Sequence, residues 1–462
     1  MTVGNDTNPL RIAIIGAGPS GFYAAESLFK SHLNVKVDVY DRLPTPYGLL
    51  RGGVAPDHQR MKSVAKAYER IAVSNPNFSF YGNVKIGKDI SVDDLRNCYD
   101  ALIFACGAET DKKLGIPGED LPGSYTATEF VGWYNGHPDY QSRSFNLKGK
   151  IAYIIGQGNV SIDVTRILAK NDAELSESDI TAVAQAALAD SGIQEIHLVG
   201  RRGPAQSAFT ELEIKEMGEL EDAEPVVNPA DIELNEASHL ELEDEKNHKA
   251  RKNMHILREF AALSPAGKKK KVVIHFFESP IELVGNGKVE AIRLVKNRLE
   301  GEPGNQKAIA TDETIEMPCD MVFRSVGYRG IPIEGVPFDE RRGVFPNTDG
   351  RLIKDDAPMY GMYAVGWIKR GPSGVLGSNK PCSAKTVETL ISDIASLQFA
   401  PARSNEQLLE KLKNAGVDVV SFTEWQNIDA LEVEAGQKVG KPREKITIVP
   451  ELLAAAKTAV RS

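Results

Sequence analysis

The hydrophobic positions fall first into an unbroken apolar run, Ile12–Ile15 within RIAIIG (11–16), that ends on glycine. A run that is apolar at every position, rather than at alternate ones, predicts a strand buried on both faces, the kind found in parallel sheets. Over Pro19–Lys30 the pattern changes: apolar Phe22, Ala25, Leu28 and Phe29 recur at three- and four-residue intervals and predict an amphipathic helix. Val35–Tyr40 predicts a second strand, ended by Asp41, which completes a βαβ unit. Asp100–Cys106 is a further buried strand closed by Gly107.

The same pattern restarts at Lys150. IAYIIG (151–156) predicts a strand, Gly156–Ser161 a turn and Ile162–Ala169 a helix. Asn171–Gly192 reads as a polar, Ala-rich helical excursion before a strand at Ile193–Gly200. Helices are predicted around Glu211–Met217 and His248–Leu263, and meander strands at Lys271–Ser279, Lys288–Lys296 and Thr314–Met321. Asp320–Val326 resembles Asp100–Cys106 in pattern. A short strand, Met362–Gly366, leads into a Gly-rich stretch (371–377) and a helix from about Lys380 to Ala395. Ser404–Ala415, with Ser404 as N-cap and Gly416 as stop, and Pro450–Val460 predict the last helices, with a polar connection between them. The duplicated strand–turn–helix predicts an α/β protein with two Rossmann-like dinucleotide-binding domains. The second is inserted into the first: residues 1–108 and 330–462 form one domain and residues 109–329 the other.

Composition narrows the class without changing that picture. The 462 residues exceed what one core usually serves. A net charge of −9 argues against nucleic acid as a partner. No apolar run reaches the ~20 residues of a membrane-spanning helix. Met1–Leu10 carries neither a basic region nor an apolar one, which predicts a cytosolic protein. Cys98, Cys106, Cys319 and Cys382 form no C-x-x-C pair, so neither a dithiol redox pair nor a zinc ribbon is expected.

Each Gly-rich turn carries chemistry. Gly16-Ala17-Gly18-Pro19-Ser20-Gly21 matches G-x-G-x-x-G between a predicted strand and helix. The first glycine permits the tight turn, the second lets backbone approach a pyrophosphate, and the third lets helix pack on strand. Asp41, twenty residues past Gly21, is placed to accept from a ribose diol. Gly156-Gln157-Gly158-Asn159-Val160-Ser161 is the second turn, with Ser161 in the third glycine's place. Where an acid would end the following strand, Arg201 and Arg202 stand instead. Guanidinium groups bind a 2′-phosphate that an acid would repel, which favours NADPH over NADH. The distance from turn to arginines is about double the usual one, and the excursion at 171–192 has to absorb it. Two dinucleotide sites of different chemistry point to a flavin enzyme, one site holding FAD and the other exchanging NADPH.

Longer stretches carry a resemblance. Gly16–Gly21, PTPYGLLRGGVAPDHQRMK (44–62), GQGNVSIDV (156–164), VGRRGPAQSAFT (199–210), RSVGYRG (324–330) and VGWIKRGPSGVLGSNK (365–380) resemble the adrenodoxin reductase family, whose bacterial members are ferredoxin–NADP reductases. The resemblance covers almost the whole chain, including the tail at Trp425–Arg443. It implies a glutathione-reductase-like pair of domains, non-covalent FAD, NADPH as donor, a ferredoxin-type iron–sulfur protein as acceptor, and a monomer. It also implies FAD contacts at Gly16, Gly18, Ser20, Gly21, Asp41, Leu49 and Val84, and flavin-ring contacts at Trp367, Gly374, Val375 and Leu376. For NADP it implies Lys112, Gln157, Gly158, Asn159, Val160, Arg201, Arg202, Glu213 and Gly374, and for the nicotinamide–flavin region His58 and Glu216. The chain departs from relatives in having Asp41 for a common Glu, Gln157 for a common Asn, and Lys112 where an Arg can occur.

Several residues support two readings. His58 by itself reads equally as a proton relay and as a residue holding the Pro56–Asp57 turn, and Glu216 by itself reads as a solvated helix residue. Trp133 and Trp425 read as packing residues. Lys249, Arg251, Lys252 and Lys268–Lys271 form either a docking patch for an acidic iron–sulfur protein or a solvated face. A disulfide reductase is disfavoured by the missing dithiol, and a glutamate-synthase-type subunit by the missing Cys-rich segments. An NADPH-dependent flavin oxidase, diaphorase or monooxygenase, and a non-catalytic NADP-binding redox sensor, are the competing functions.

Overall fold

The computed structural model describes residues 3–374, 376–402 and 404–458. They fall into two compact units, Met1–Thr110 with Asn135–Pro138 and Gly327–Ser462, and Asp111–Tyr134 with Asp139–Val326. Among the described residues no helix is long and apolar enough to cross a membrane.

The first unit is built on a seven-stranded sheet in the order Asn347–Thr348, Arg351–Lys354, Ala357–Ala364, Ala101–Phe104, Leu10–Ile15, Val35–Tyr40, Phe78–Tyr81. Its last five strands are parallel, with Ile14 opposite Val39 on one side and Ile103 on the other. Ile12 and Ile14 are fully buried, as an unbroken apolar run requires. Strand Ala357–Ala364 completes the N-terminal sheet from the far end of the chain, so the first unit needs both halves of the sequence.

The second unit repeats the plan. Six parallel strands lie in the order Ser124–Thr126, Met321–Arg324, Ile151–Ile155, Glu195–Val199, Lys270–His275, Ala223–Val227. The excursion becomes two short helices, Asp172–Ser176 and Ala182–Ala189, between helix Asn159–Ala169 and strand Glu195–Val199, which explains the long spacing from turn to arginines.

Three expectations are corrected. The first meander strand instead joins the parallel sheet as Lys270–His275, and the antiparallel meander is Glu278–Val284, Ala291–Glu300 and Lys307–Pro318. The chain breaks between the two sheets at Phe277, whose φ of +57° takes it out of the extended region. Next, the helix expected from Ser404 starts at Glu406 with Asn405 in the cap position, and Ser404 Oγ accepts the Glu406 N–H at 3.2 Å. Finally, the polar connection between the last helices contains a 16-residue helix, Phe422–Gln437. Ser421 and Glu424 cap it reciprocally, while Trp425 and Ile428 enter the core beside Tyr47 and Tyr68. Its apolar stripe is interrupted because one buried position is the charged Glu432.

Candidate functional site

The first cradle follows directly from the strand it ends. Gly16 has φ +112°, and a Cβ there would stand 2.5 Å from the Ala105 carbonyl oxygen. Only glycine fits both that backbone and that neighbour. A Cβ on Gly21 would overlap the Gly16 carbonyl oxygen, so helix Pro19–Phe29 packs against the strand with no side chain between them. Gly18 faces Gly48, which has φ +48° and whose Cβ would lie 3.0 Å from the Gly18 Cα. Two glycines thus line one wall with bare backbone. No side chain caps the helix, and Pro19 brings no N–H, so its first-turn amides stay available for an anion.

Asp41, expected at a ribose, also holds the turn itself. Its carboxylate accepts the Ala17 N–H at 2.8 Å and the Leu43 N–H at 2.9 Å, which ties the Gly-rich turn to the end of strand Val35–Tyr40. Burial raises its pKa, and the two amides act against that rise. A carboxylate has about four acceptor sites, so two remain for a diol. The buried Val84 donates its N–H to the Asp41 carbonyl at 2.8 Å, and Leu49 opens the short helix Leu49–Gly52 directly after Gly48.

The stretch 366–379 is pinned to the same helix. Gly366, φ +69°, has no room for a Cβ because Ser20 Oγ occupies the space. Ser20 Oγ donates to Asn379 Oδ1 at 3.2 Å, and Ser383 Oγ donates to the Ser20 carbonyl at 2.9 Å. Arg370 gathers the loop by donating to the Ser373 carbonyl at 3.1 Å, Ser378 Oγ at 3.1 Å and Asn379 Oδ1 at 3.0 Å. Trp367 stands at the head of this stretch with its ring 5.3 Å from that of Tyr328. Gly374 has φ +84° and is exposed, Leu376 begins a single 3-10 turn before helix Asn379–Ser392, and Val375 lies outside the described residues. Sequence reasoning missed Gly48, Arg370, Asn379 and Ser383, although all but Ser383 lie in the motifs it singled out. His58 takes the cap position of the short helix Gln59–Lys62, and its N–H donates to the Ala55 carbonyl at 3.1 Å.

The second cradle lies in the other unit. Gly156, φ +131°, has the Ser325 carbonyl where a Cβ would go, whereas a Cβ on Gly158 would meet nothing within 4 Å. Open space above an uncapped turn is what a phosphate needs. Ser161, fully buried, fills the third glycine's place, and its Oγ accepts the Gly158 N–H at 3.1 Å and donates to Ser325 Oγ at 3.2 Å. Two side chains expected at the nucleotide hold the cradle together. Gln157 Nε2 donates to the His275 carbonyl at 2.8 Å, and Asn159 Oδ1 accepts the Thr210 N–H at 2.9 Å. Their backbone, with half-buried Val160, is what lines the turn. Beneath the turn His197 Nδ1 and His275 Nε2 lie 2.9 Å apart, and burial, chiefly, pushes His197 down to about 4.

Glu213, buried, and Glu216, part-exposed, both pair with a buried arginine. Arg166, 1% exposed, reaches Asp163 at 2.7 Å, Glu213 at 3.2 Å and Glu216 at 3.1 Å. Glu216 is therefore no merely solvated helix residue, because a buried guanidinium needs its counter-charges. Lys112 is exposed in the segment after Asp111. Arg201 and Arg202 are both exposed past strand Glu195–Val199, and among the described residues neither guanidinium has an acidic partner.

Most of the basic patch is engaged locally. Arg251 donates to the carbonyls of Leu242 at 2.6 Å and Asp244 at 2.7 Å, and Lys252 pairs with Glu211 at 2.7 Å. Lys268 donates to the Leu220 carbonyl at 2.5 Å, Lys269 pairs with Asp222 at 2.9 Å, and Lys270 donates to the Leu168 carbonyl at 2.8 Å. Lys249 and Lys271 are the cations of that set with no side-chain partner among the described residues.

Residues 10–206 match the family model described as pyridine nucleotide-disulphide oxidoreductase. The chain is 43% identical over 456 residues to NADPH-ferredoxin reductase FprA of Mycobacterium leprae, covering 96% of this chain and 97% of that one. It is 40% identical over 470 residues to the mitochondrial NADPH:adrenodoxin oxidoreductase of Arabidopsis thaliana, covering 97% and 96%. The structure of Mycobacterium tuberculosis FprA in complex with NADPH superposes with a TM-score of 0.91 at 42% identity, covering 97% of this chain and all of that one. With identity at this level over nearly the full length of both partners, and with two glycine cradles of the expected form, the chain belongs to the adrenodoxin-reductase-like family of NADPH-ferredoxin reductases.

Proposed function

We propose that this chain is an FAD-dependent reductase that takes electrons from NADPH and delivers them one at a time to a ferredoxin-type iron–sulfur protein. The observation that carries the reading is the pairing of two unlike cradles in a chain without a dithiol. One is closed by Asp41; the other is followed by two exposed arginines. A bound flavin supplies the exchange between a two-electron donor and a one-electron acceptor.

The rest is the work of the chain's own groups. Gly16, Gly18 and Gly21, with Ser20, bring bare backbone and helix amides to the FAD pyrophosphate. Asp41 offers its free lone pairs to the ribose, and Leu49 and Val84 wall that end. Trp367, Gly374 and Leu376 belong at the ring end, on a stretch held by Arg370 and Asn379. Gly156 and Gly158, with the backbone of Gln157, Asn159 and Val160, receive the NADPH pyrophosphate. Arg201 and Arg202 grip the 2′-phosphate, with Lys112 as a further cation. Glu213 and Glu216 act through Arg166, whose charge they balance. Positioning dominates the transfer, since no side chain has to move a proton for it. A monomeric state and a cytosolic location belong to the same proposal.

Anaerobic stopped-flow mixing tests it. NADPH bleaches the flavin absorbance rapidly, NADH does so far more slowly, and a [2Fe–2S] ferredoxin added afterwards restores the colour as it is reduced. A colourless protein, or a flavin that discharges to oxygen and to no iron–sulfur protein, would overturn the reading. His58→Ala retains FAD and slows flavin reduction by less than about tenfold, because the transfer requires no proton relay; complete loss of reduction with flavin still bound would make His58 essential.

A further inference from the structure

The arginine-bearing loop does not hold itself. Residues 200–203 follow strand Glu195–Val199, with only Arg201 and Arg202 of them exposed, and their backbone is gripped from the antiparallel meander. Asn297, 7% exposed, donates from Nδ2 to the Arg201 carbonyl at 3.0 Å and to Ser279 Oγ at 2.8 Å. Its own N–H donates to the Phe277 carbonyl at 2.6 Å, and the Phe277 N–H donates to the Arg202 carbonyl at 3.1 Å. The Glu278 N–H closes the set on the Gly200 carbonyl at 3.0 Å. Three successive carbonyls of the loop are therefore bonded, all by groups of the meander or of the residue that leads into it.

Two local irregularities make this grip. Phe277 is non-glycine at φ +57°, which points its N–H at the loop, and its ring stands 2.8 Å from where a Gly203 Cβ would be. The register of strands Ala291–Glu300 and Lys307–Pro318 shifts between Val295 and Asn297. Such irregularities re-aim a side chain, and bulges of this kind recur beside functional sites. Asn297 is buried with its amide hydrogens used on the loop and on Ser279, so the bond to the loop cannot be exchanged for water and fixes the backbone that carries the exposed arginines.

We propose that Asn297 is a positioning residue for nucleotide selectivity: by fixing the Arg201 carbonyl it holds both guanidinium groups where a 2′-phosphate lies. This rests on the assignment of Arg201 and Arg202 to that phosphate. It assigns the meander, which is no part of the dinucleotide-binding sheet, a role in choosing the donor.

The experiment is calorimetric titration of the FAD-loaded protein with 2′,5′-ADP and with 5′-AMP, alongside kinetics with both reduced nucleotides. In Asn297→Ala the Kd for 2′,5′-ADP rises roughly five- to tenfold, as loss of one buried hydrogen bond implies, while 5′-AMP changes less than about twofold. KM for NADPH rises in step and kcat holds. In an Arg201→Ala/Arg202→Ala background, adding Asn297→Ala weakens 2′,5′-ADP no further, because the two changes act on one contact. Should Asn297→Ala not fold, Asn297→Leu fills the same space without a donor or a charge and carries the same test. If the arginine variant loses 2′,5′-ADP affinity and the Asn297 variants do not, or if they weaken both nucleotides equally, the positioning role is wrong. If the arginine variant itself keeps its 2′,5′-ADP affinity, the phosphate assignment beneath it is wrong instead.

Discussion

Arg201→Ala/Arg202→Ala lowers kcat/KM for NADPH by roughly two orders of magnitude and leaves that for NADH within about threefold. The two nucleotides differ only in the 2′-phosphate, so a change confined to one of them reports contacts to that group. Charge-assisted hydrogen bonds from guanidinium to phosphate are about twice as strong as neutral ones, and the planar fork adds direction that lysine lacks. Both side chains are exposed and have no acidic partner among the described residues, so removing them leaves no buried charge behind and does not unfold the unit. Steady-state kinetics with the two nucleotides checks it, and equal losses with both would remove the 2′-phosphate from these arginines. The surviving NADPH activity becomes less sensitive to ionic strength, since screening acts on the charges that have been deleted.

Glu432→Ala lowers the melting temperature by on the order of 10 °C and loosens flavin retention. Glu432 is wholly buried in helix Phe422–Gln437. Its carboxylate takes Arg51 at both ends, at 2.7 and 2.5 Å, Arg443 at 3.2 Å and the Ile446 N–H at 2.9 Å. Arg51 also lies over the Trp425 ring at 5.1 Å and belongs to the short helix that follows Gly48. Removing one partner strands a buried guanidinium, which costs about 3–5 kcal/mol, far more than the intact pair contributes. Burial alone would raise the Glu432 pKa, but Arg51, Arg443 and the amide outweigh it and hold it below the ordinary 4.5. A carboxylate with a depressed folded pKa stabilises fully above its unfolded value and loses that contribution as pH falls through the folded one. The gap in melting temperature between wild type and variant is therefore constant at pH values above the ordinary carboxylate range and closes as the pH falls through that range and below it. Thermal melts across that range check it, and a gap that widens in acid would refute the ion-pair account.

The elements legible in the sequence were those whose signal is local. Ile12–Ile15 reads as a doubly buried strand because every position is apolar, and Gly16 reads as a turn because no other residue adopts its backbone. The helix at Phe422–Gln437 was not legible as an apolar stripe, because a buried position is glutamate. Its capping pair, Ser421 and Glu424, was present and would have found it. Lys271–Ser279 reads as a meander strand because hydropathy records burial, not which sheet supplies it; the turn at Phe277 decides that, and an aromatic residue at positive φ has no sequence signature.

For the site the division is similar. Which residue types suit a dinucleotide is determined by the chain alone: glycines let backbone approach a phosphate, and arginines supply charge for a second one. Those requirements act between neighbours in sequence, so order and spacing carry them. Only the tertiary structure decided what each side chain is free to do. It committed Gln157 and Asn159 to holding the second turn, tied Asp41 to the first turn through the Ala17 and Leu43 amides, and set Glu213 and Glu216 around Arg166. It also drew Asn297, ninety-six residues away, onto the Arg201 carbonyl. A hydrogen bond or an ion pair depends on distance in space, and between residues so far apart in sequence that distance exists only once the strands have found their order.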